Sequence, residues 1–376
     1  MVRFHETRGV HMTVGKVRPA LAGIAGYRPG KDASQAEEEH GITGAIKLAS
    51  NENPWPPVAA VVAAIQDAAN SVNRYGDNAA SAVAAAIAEW TTSGSGARLD
   101  ALNISVGCGS SGVLQQLMLT YVDPGNEVVF PWPSFEIYPV FCTIFGAVAV
   151  RTGFDDYGFD LNAVADAVTN NTSIVFLATP NNPTGTAVSC DEIGRLLDRI
   201  PDDVMVVVDE AYREFSDPAL GDPVVELLPQ HRNLVVTRTF SKAFGLAGLR
   251  TGYAIADPEV VSQIDSVRLA FSVNSLAQAG TLAAIEHADE ALERVALLRQ
   301  ERERMFIAVT EAGMDVVPSH ANFLFFPTGD RTAEIAFAME KQGVVVRPFA
   351  RVGLRVTIGT PEQNDRWLAA LLAATR

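Results

Sequence analysis

Cysteine is scarce in this chain of 376 residues, which contains only Cys108, Cys142 and Cys190. Three widely spaced cysteines do not form a disulfide framework, and they lack the clustered spacing of a structural zinc site. The six histidines fall outside every motif described below, so no metal site is predicted. This cysteine usage is typical of a reducing compartment, and we expect a cytoplasmic protein.

Long apolar runs and an excess of positive charge are missing as well. No segment approaches the roughly 18 consecutive apolar residues that span a bilayer, and the first twelve residues lack the apolar core of a signal peptide. Met12 is an alternative start, which would make residues 1–11 an extension. The formal net charge of -15 argues against a nucleic-acid or anionic-membrane partner. We therefore expect a soluble protein that binds neither.

Alternating strand and helix patterns fill the middle of the chain. The length favours one large and one smaller domain, and 48% hydrophobic residues are enough to fill them. Continuous apolar runs, typical of buried parallel strands, alternate with helix-like stretches. These runs cover 103–106, 127–130, 173–178, 204–209, 234–239 and 252–256. The pattern predicts an α/β fold whose large domain is a three-layer α/β/α sandwich with a mostly parallel sheet.

The pattern changes after about residue 270. A long helical stretch over 276–312 precedes three short apolar runs, which together predict a smaller α+β domain. The predicted units are an N-terminal segment 1–46 that packs with the small domain, a large domain 47–270, and the small C-terminal domain 271–376.

A glycine-rich segment, "GCGSSG" at 107–112, follows the first apolar run and opens a helix. Backbone N–H groups at such a helix N-terminus suit a phosphate. The segment also matches G-x-G-x-x-G, the dinucleotide-binding pattern. That fold needs an acidic residue about 20 positions further on, at the end of the next strand. Pro131 and Trp132 stand there instead, which argues against a dinucleotide.

Polar residues collect where the later strands end, and open α/β sheets bind ligands there. Asn182 lies in "PNNPTG" after one run, Asp209 and Tyr212 lie in "DEAY" at the end of the next, and Lys242 lies in "TFSKAF" after another. Asp209 follows so apolar a strand that we expect it to be buried and to need a partner.

These residue types match the functional groups of one cofactor. A lysine forms an imine, a carboxylate holds a cationic ring nitrogen, and an amide and a phenol bind a ring oxygen. Ser241 and Arg250 suit a phosphate, and Phe135 or Trp132 can stack on a ring. Pyridoxal phosphate (PLP) presents all of these groups.

The sequence resembles the fold-type I PLP-dependent aminotransferases, in the branch that holds histidinol-phosphate and aromatic (phenylalanine) aminotransferases. Nearly the whole chain carries the resemblance. The matching segments are "AGYRPG" (25–30), "KLASNENP" (47–54), "NRYGD" (73–77), "GCGSS" (107–111), "PSFEIYP" (133–139), "PNNPTG" (180–185), "DEAY" (209–212), "TFSKAFGLAGLRTGY" (239–253) and "LRVTIGTPEQND" (354–365).

The resemblance implies the roles of the cofactor-binding and catalytic residues. Lys242 forms the internal aldimine with PLP and moves the proton between the substrate Cα and the cofactor C4′. Asp209 keeps the pyridine nitrogen protonated, Asn182 and Tyr212 hydrogen-bond the ring hydroxyl, and Phe135 stacks on the ring. The implied phosphate ligands are Ser110, Ser111, Ser241 and Arg250, with Thr239 nearby and Tyr75 reaching across from a second subunit.

The resemblance also implies the substrate site and a homodimer with shared active sites. Arg355 grips the acidic group of the substrate and Arg347 assists it, while Asn322 lines the pocket and Tyr27 belongs to a segment that covers it. The motif at 75–77 departs from the family, which often has Tyr-Pro-Asp, because Gly76 replaces the proline. Losing the proline loosens the loop that carries Tyr75.

The reaction predicted from the resemblance is the transfer of an amino group between aromatic amino acids (phenylalanine, tyrosine) and 2-oxoglutarate. Segments 47–61, 107–117 and 130–141 look closer to the aromatic branch than to the histidine-biosynthetic one. A histidinol-phosphate aminotransferase is the first alternative, because arginines accept a phosphate as well as a carboxylate. A catalytically silent PLP-binding regulator is the second, although the chain leaves no room for a DNA-binding module.

Overall fold

Residues 17–18, 21, 30–93, 95 and 97–375 are described by a computed structural model. Its strands are β1 Ile46–Lys47, β2 Ile104–Cys108, β3 Glu127–Pro131, β4 Val148–Thr152, β5 Phe154–Asp155, β6 Gly158–Phe159, β7 Thr172–Ala178, β8 Met205–Asp209, β9 Leu234–Thr239, β10 Thr251–Ala256, β11 Phe323–Phe326, β12 Val344–Val345, β13 Arg347–Phe349 and β14 Gly353–Thr357. Its helices are α1 Ala33–His40, α2 Ala59–Ala68, α3 Ser81–Thr92, α4 Gly109–Tyr121, α5 Ile137–Phe145, α6 Leu161–Asp166, α7 Cys190–Leu197, α8 Pro223–Glu226, α9 Pro258–Ser266, α10 Ser275–Glu286, α11 Ala288–Glu311, α12 Thr332–Lys341 and α13 Pro361–Thr375.

A seven-stranded sheet in the order β2-β10-β9-β8-β7-β3-β4 forms the centre of the molecule. Every strand is parallel to the others except β10, which runs antiparallel to both β2 and β9. The α/β class and the mostly parallel sheet predicted from the sequence are confirmed. All six predicted runs form strands of this sheet; the edge strand β4 was not predicted, because its residues are partly exposed and do not form a continuous apolar run.

Both faces of the sheet are covered by helices, because successive residues of a strand point to opposite sides. In β8, for example, Val206 and Val208 belong to one apolar core and Val207 to the other. Helices α4, α5 and α9 contribute to the core that contains Val207. Helices α3, α7 and α10 contribute to the opposite core. The central sheet and the helices on its two faces therefore form the three-layer α/β/α arrangement expected from the sequence.

A three-stranded antiparallel sheet, β11-β14-β13, lies in the C-terminal part of the chain. The short β1 pairs in parallel with β12, and the Thr357 amide donates to the Leu48 carbonyl. Residues 46–48 are thus hydrogen-bonded to the C-terminal region before the chain enters the central sheet. The domain limits at 46/47 and 270/271 stay a prediction.

The helical stretch predicted over 276–312 is two helices rather than one. Helix α10 ends at Glu286 and α11 begins at Ala288, with His287 at the junction at φ -110° and ψ 32°. Asp289 and Glu290 occupy the first turn of α11, where carboxylates stabilise a helix N-terminus. Within the described ranges, no helix has both the length and the apolar character needed to cross a membrane.

Candidate active site

One cavity of about 370 Å³ opens at the carboxyl edge of the parallel strands. Parallel strands end at the same edge, so the loops that follow β2, β7, β8 and β9 meet there. Strand β10 runs the other way and therefore begins at this edge, which brings in the residue before it, Arg250. The sequence-predicted residues that line the cavity are Ser110, Ser111, Phe135, Asn182, Asp209, Tyr212, Thr239, Ser241, Lys242, Arg250 and Arg355.

A group of hydrogen-bond donors lines the cavity where α4 begins directly after β2. This cradle consists of the start of α4 at Gly109–Ser111 and the Arg250 guanidinium. Gly109 has φ +72°, and a Cβ there would lie 2.4 Å from the Arg250 guanidinium. Gly252 packs so closely on the helix start that a Cβ would lie 2.1 Å from the Ser110 nitrogen. The two glycines therefore let the guanidinium and the helix N-terminus converge, which suits an anion.

Arg250 is held in this cradle by an unusual backbone conformation. Its φ of 62° lies in the left-handed region, which is costly for a residue with a side chain. The Gly109 amide donates to the Arg250 carbonyl at 2.9 Å, and the guanidinium donates to the Ala247 carbonyl at 3.1 Å. Among the described residues no carboxylate lies within 4.0 Å of this guanidinium. The cradle thus offers an exposed cation beside a helix N-terminus.

Asp209 lines the same cavity from the end of β8 and is 3% exposed. Tyr138 donates to its Oδ2 at 2.9 Å and Thr237 donates to its Oδ1 at 3.1 Å. Burial raises the pKa of Asp209 to about 6, while the Tyr138 and Thr237 hydroxyls act in the opposite direction. The prediction that Asp209 is buried and needs partners is confirmed. At pH 7 and above it is an anion inside an apolar sheet.

Lys242 projects into the cavity from the loop that follows β9. Its Nζ donates to the Ser50 carbonyl at 3.0 Å. Burial, together with the nearby Arg355 and Arg250 guanidiniums, lowers the pKa of Lys242 to about 8, while Glu52 acts in the opposite direction. A lysine with an ordinary pKa is almost wholly protonated at neutral pH and is a poor nucleophile. This environment leaves a usable fraction of neutral amine.

Tyr212 belongs to a buried network centred on Asn51, a residue to which the sequence reasoning gave no role. Asn51 Nδ2 donates to the Tyr212 hydroxyl oxygen at 2.9 Å. The Thr357 hydroxyl donates to Asn51 Oδ1 at 3.1 Å, and Asn322 Nδ2 donates to the Asn51 carbonyl at 3.1 Å. Asn322 therefore supports the wall of the cavity through Asn51, and it is not among the residues that line it.

Arg355 lies on β14 and is 6% exposed. It donates to Asn182 Oδ1 and, at 2.6 Å, to the Ala49 carbonyl. Its guanidinium also lies 5.3 Å from the ring of Phe323. These contacts hold a planar, bidentate donor at the cavity wall, a geometry that suits a carboxylate.

Besides Asn322, two sequence-predicted residues of the described ranges do not line this cavity. Tyr75 is 81% exposed and stacks on Phe271 at 4.4 Å, away from the cavity of its own chain. Arg347 is paired with Glu136 at 2.6 Å and does not line the cavity. Tyr27 lies outside the described residues.

The donor set fits PLP in each of its functional groups. The cradle at Gly109 suits the phosphate, the buried Asp209 suits a protonated ring nitrogen, and the low pKa of Lys242 suits covalent capture of a carbonyl. Phe135 lines the cavity and its ring lies 5.7 Å from that of Tyr138. The sequence reasoning missed Tyr138 and Thr237, although Tyr138 stood inside the quoted motif "PSFEIYP".

Comparison with known families matches residues 43–371 to the model described as aminotransferase class I and II. The aromatic amino acid aminotransferase of Mycobacterium marinum is 42% identical over 353 residues, which cover 94% of this chain and 95% of that protein. The aromatic amino acid aminotransferase of Nocardia farcinica is 43% identical over 357 residues, covering 94% and 96%.

A solved aminotransferase structure has the same fold as this chain. The crystal structure of histidinol-phosphate aminotransferase from Sinorhizobium meliloti, in complex with pyridoxal-5'-phosphate, superposes with a TM-score of 0.87. The two sequences are 25% identical, and the match covers 96% of this chain and 98% of that one.

Proposed function

This chain belongs to the class I and II aminotransferase family, and from that premise we propose that it is a PLP-dependent aromatic amino acid aminotransferase. It transfers the amino group of phenylalanine or tyrosine to 2-oxoglutarate. The observation that carries the proposal is a single cavity that combines an anion cradle, a buried carboxylate and a lysine of low pKa. Relatives named aromatic amino acid aminotransferase, 42% to 43% identical, support the choice of substrate.

PLP, when bound, supplies an electron sink for the negative charge that develops at the substrate Cα. The residues that would hold its phosphate are Ser110, Ser111, Thr239, Ser241 and Arg250, all of which line the cavity. Asp209 would hold the ring nitrogen in its protonated form, since its own anion is fixed by Tyr138 and Thr237. Asn182 and Tyr212 would bind the ring hydroxyl, and Phe135 would stack on the ring.

Lys242 Nζ is the group that would take the proton from the substrate Cα and pass it to the C4′ position of bound PLP. With a pKa of about 8, it is close to the pH at which a general base works best. Arg355 binds and orients the α-carboxylate by two parallel hydrogen bonds. Tyr212, held by Asn51, keeps the reacting groups in one geometry.

We further propose a homodimer that places Tyr75 of each subunit at the cradle of the other. The support is an exposed aromatic pair, Tyr75 and Phe271, beside Leu269, which is 78% exposed. Contiguous exposed apolar groups of this kind typically mark protein interfaces. A cytoplasmic location agrees with Cys108, Cys142 and Cys190 all being free thiols.

The direct test is the complete reaction of the purified protein with added PLP. Phenylpyruvate should form beyond one equivalent per active site only when 2-oxoglutarate is present, and this multiple turnover should yield one glutamate for each phenylpyruvate. Histidinol phosphate, the substrate named for the Sinorhizobium meliloti relative, is the comparison substrate. A higher kcat/KM for histidinol phosphate would contradict the aromatic assignment. Stable PLP binding without either reaction would instead support a silent regulator.

A further inference from the structure

Asn51 connects the small sheet of the C-terminal region to the active-site cavity. It is buried, and it lines the cavity together with Tyr212. Its φ of 53° lies in the left-handed region, which asparagine tolerates better than most residues with a side chain. The Asn51 backbone N–H donates to Thr357 Oγ1 on β14 at 3.0 Å, and Asn322 Nδ2 donates to the Asn51 carbonyl. The C-terminal region therefore fixes the backbone of Asn51 on both sides.

The hydrogen bonds of Thr357 determine which end of the Asn51 side-chain amide faces Tyr212. The buried Thr357 hydroxyl has a single proton, which it donates to Asn51 Oδ1 at 3.1 Å. If the amide were turned round, Nδ2 would face Thr357 and this proton would lose its acceptor. A buried donor without an acceptor is costly. The orientation with Nδ2 toward Tyr212 is therefore the favourable one.

The direction of the hydrogen bond between Asn51 and Tyr212 follows from this orientation. An amide nitrogen only donates, so Asn51 Nδ2 gives a proton to the Tyr212 oxygen, at 2.9 Å. A tyrosine hydroxyl can accept and still donate its own proton. Because Tyr212 accepts from Asn51, its own proton is directed to a different acceptor. Tyr212 lines the cavity, so the ring oxygen of PLP is an acceptor within the same site.

We propose that Asn51 is a positioning residue that makes Tyr212 a hydrogen-bond donor to the ring oxygen of PLP. The inference rests on the part of the proposed function that places PLP in this cavity, and it does not depend on the substrate. A hydrogen bond donated to an oxygen favours the anionic form, so Tyr212 lowers the pKa of the bound cofactor chromophore. With only an acceptor at residue 51, Tyr212 would turn its proton toward that acceptor, and this effect would be lost.

The test is an absorbance titration of the protein with bound PLP, which gives the pKa of the cofactor chromophore without turnover. The contribution of Tyr212 is the difference in this pKa between a protein and its Tyr212→Phe variant. It is measured in the unmodified protein and in Asn51→Asp, whose carboxylate accepts but does not donate. Because each contribution is a difference at constant residue 51, the direct effect of the added charge on the pKa cancels.

Asn53→Asp is the matched control, because it adds the same charge to the same loop. Asn53 Nδ2 donates to the Ala243 carbonyl at 3.0 Å and not to Tyr212. The other charged groups near the cofactor are the same in every variant. They are Lys47, Glu52, Asp209, Lys242, Arg250 and Arg355.

A second variant, Asn51→Gly, tests the same direction without adding a charge. Glycine adopts a φ of 53° without strain, so the backbone at this position is compatible with the substitution. Removing the donor that holds Tyr212 should reduce the contribution of Tyr212. If Tyr212 gave its proton to Asn51 instead, the variant would release that proton to the cofactor, and the contribution would increase.

We expect Tyr212 to lower the chromophore pKa by at least about one unit in the unmodified protein, the low end of what a hydrogen bond to a charged group contributes. This contribution should nearly vanish in Asn51→Asp, decrease in Asn51→Gly, and stay within about 0.3 units in Asn53→Asp. An unchanged contribution in Asn51→Asp, an unchanged or larger one in Asn51→Gly, or an equal loss in Asn53→Asp would overturn the proposal. Failure of the proposed function has a different signature, since phenylalanine would then not react although the chromophore pKa still responds to Asn51.

Discussion

Replacing Tyr138 with phenylalanine tests how the protein keeps Asp209 ionised. Tyr138 donates to Asp209 Oδ2 at 2.9 Å, and both residues are buried. The substitution removes one hydroxyl and leaves the ring, which stacks on Phe176 at 4.7 Å. It therefore changes one hydrogen bond with little change in packing.

The magnitude follows from the pKa of Asp209, which burial raises from 3.8 to about 6. Because the folded protein binds this proton more tightly than the unfolded chain, stability falls as pH rises from about 4 to about 6. The full penalty, about 3 kcal/mol, is present above pH 6. Hydrogen bonds to a charged group contribute ~1.5–3 kcal/mol and neutral ones ~0.5–1.5 kcal/mol, so losing Tyr138 costs more when Asp209 is an anion.

We therefore expect Tyr138→Phe to destabilise the cofactor-free protein by about 1 kcal/mol more at pH 8 than at pH 5. Urea unfolding at the two pH values measures this difference. The matched control is Tyr121→Phe, whose hydroxyl donates to the uncharged Gln263 side chain at 2.6 Å. The variant should also bind PLP more weakly at pH 8. An equal loss of stability at both pH values, or the same pH dependence in the control, would refute the reasoning.

Three further predictions concern the reactive lysine and the anion cradle. Borohydride reduction of the protein with PLP should add the cofactor's mass to the peptide that contains Lys242 and to no peptide of Lys242→Ala; labelling of another lysine would contradict the assignment. The rate at which cofactor-free protein captures PLP should rise through pH 8. In Arg355→Met this rise should occur at higher pH, because the variant lacks a cation that lowers the pKa of Lys242. A pH profile that does not move would exclude this coupling between Arg355 and Lys242. Gly252→Ala should lower the melting temperature and weaken phosphate binding, because the new Cβ would lie 2.1 Å from the Ser110 nitrogen. Overpacking of this kind typically costs about 1–3 kcal/mol of folding free energy. An unchanged melting temperature would show that the cradle is not closely packed.

The sheet was predictable because its strands carry continuous apolar runs that end abruptly in polar motifs. "VMVVVD" is such a run, with Asp209 at its end. Strand direction leaves no comparable mark, so nothing in residues 251–256 indicated that β10 runs antiparallel. That direction explains why Arg250, which precedes its strand, contacts Gly109, which follows one.

Contacts between distant segments were the part that sequence reasoning missed. Tyr138 reaches Asp209 across 71 positions, and Asn51 reaches Tyr212 across 161. A tyrosine on a helix and an asparagine in a loop have no periodic pattern that identifies a partner. Arg347 was expected to assist at the substrate site, whereas it pairs with Glu136, a residue that carried no prediction.

The central claim is that this site transfers the amino group of an aromatic amino acid by means of bound PLP. It is tested most directly by the change in cofactor absorbance when phenylalanine, and separately histidinol phosphate, is added to the protein with bound PLP. We predict a larger second-order rate constant for phenylalanine, and no absorbance change with either substrate in Lys242→Ala. A larger rate constant for histidinol phosphate would contradict the account.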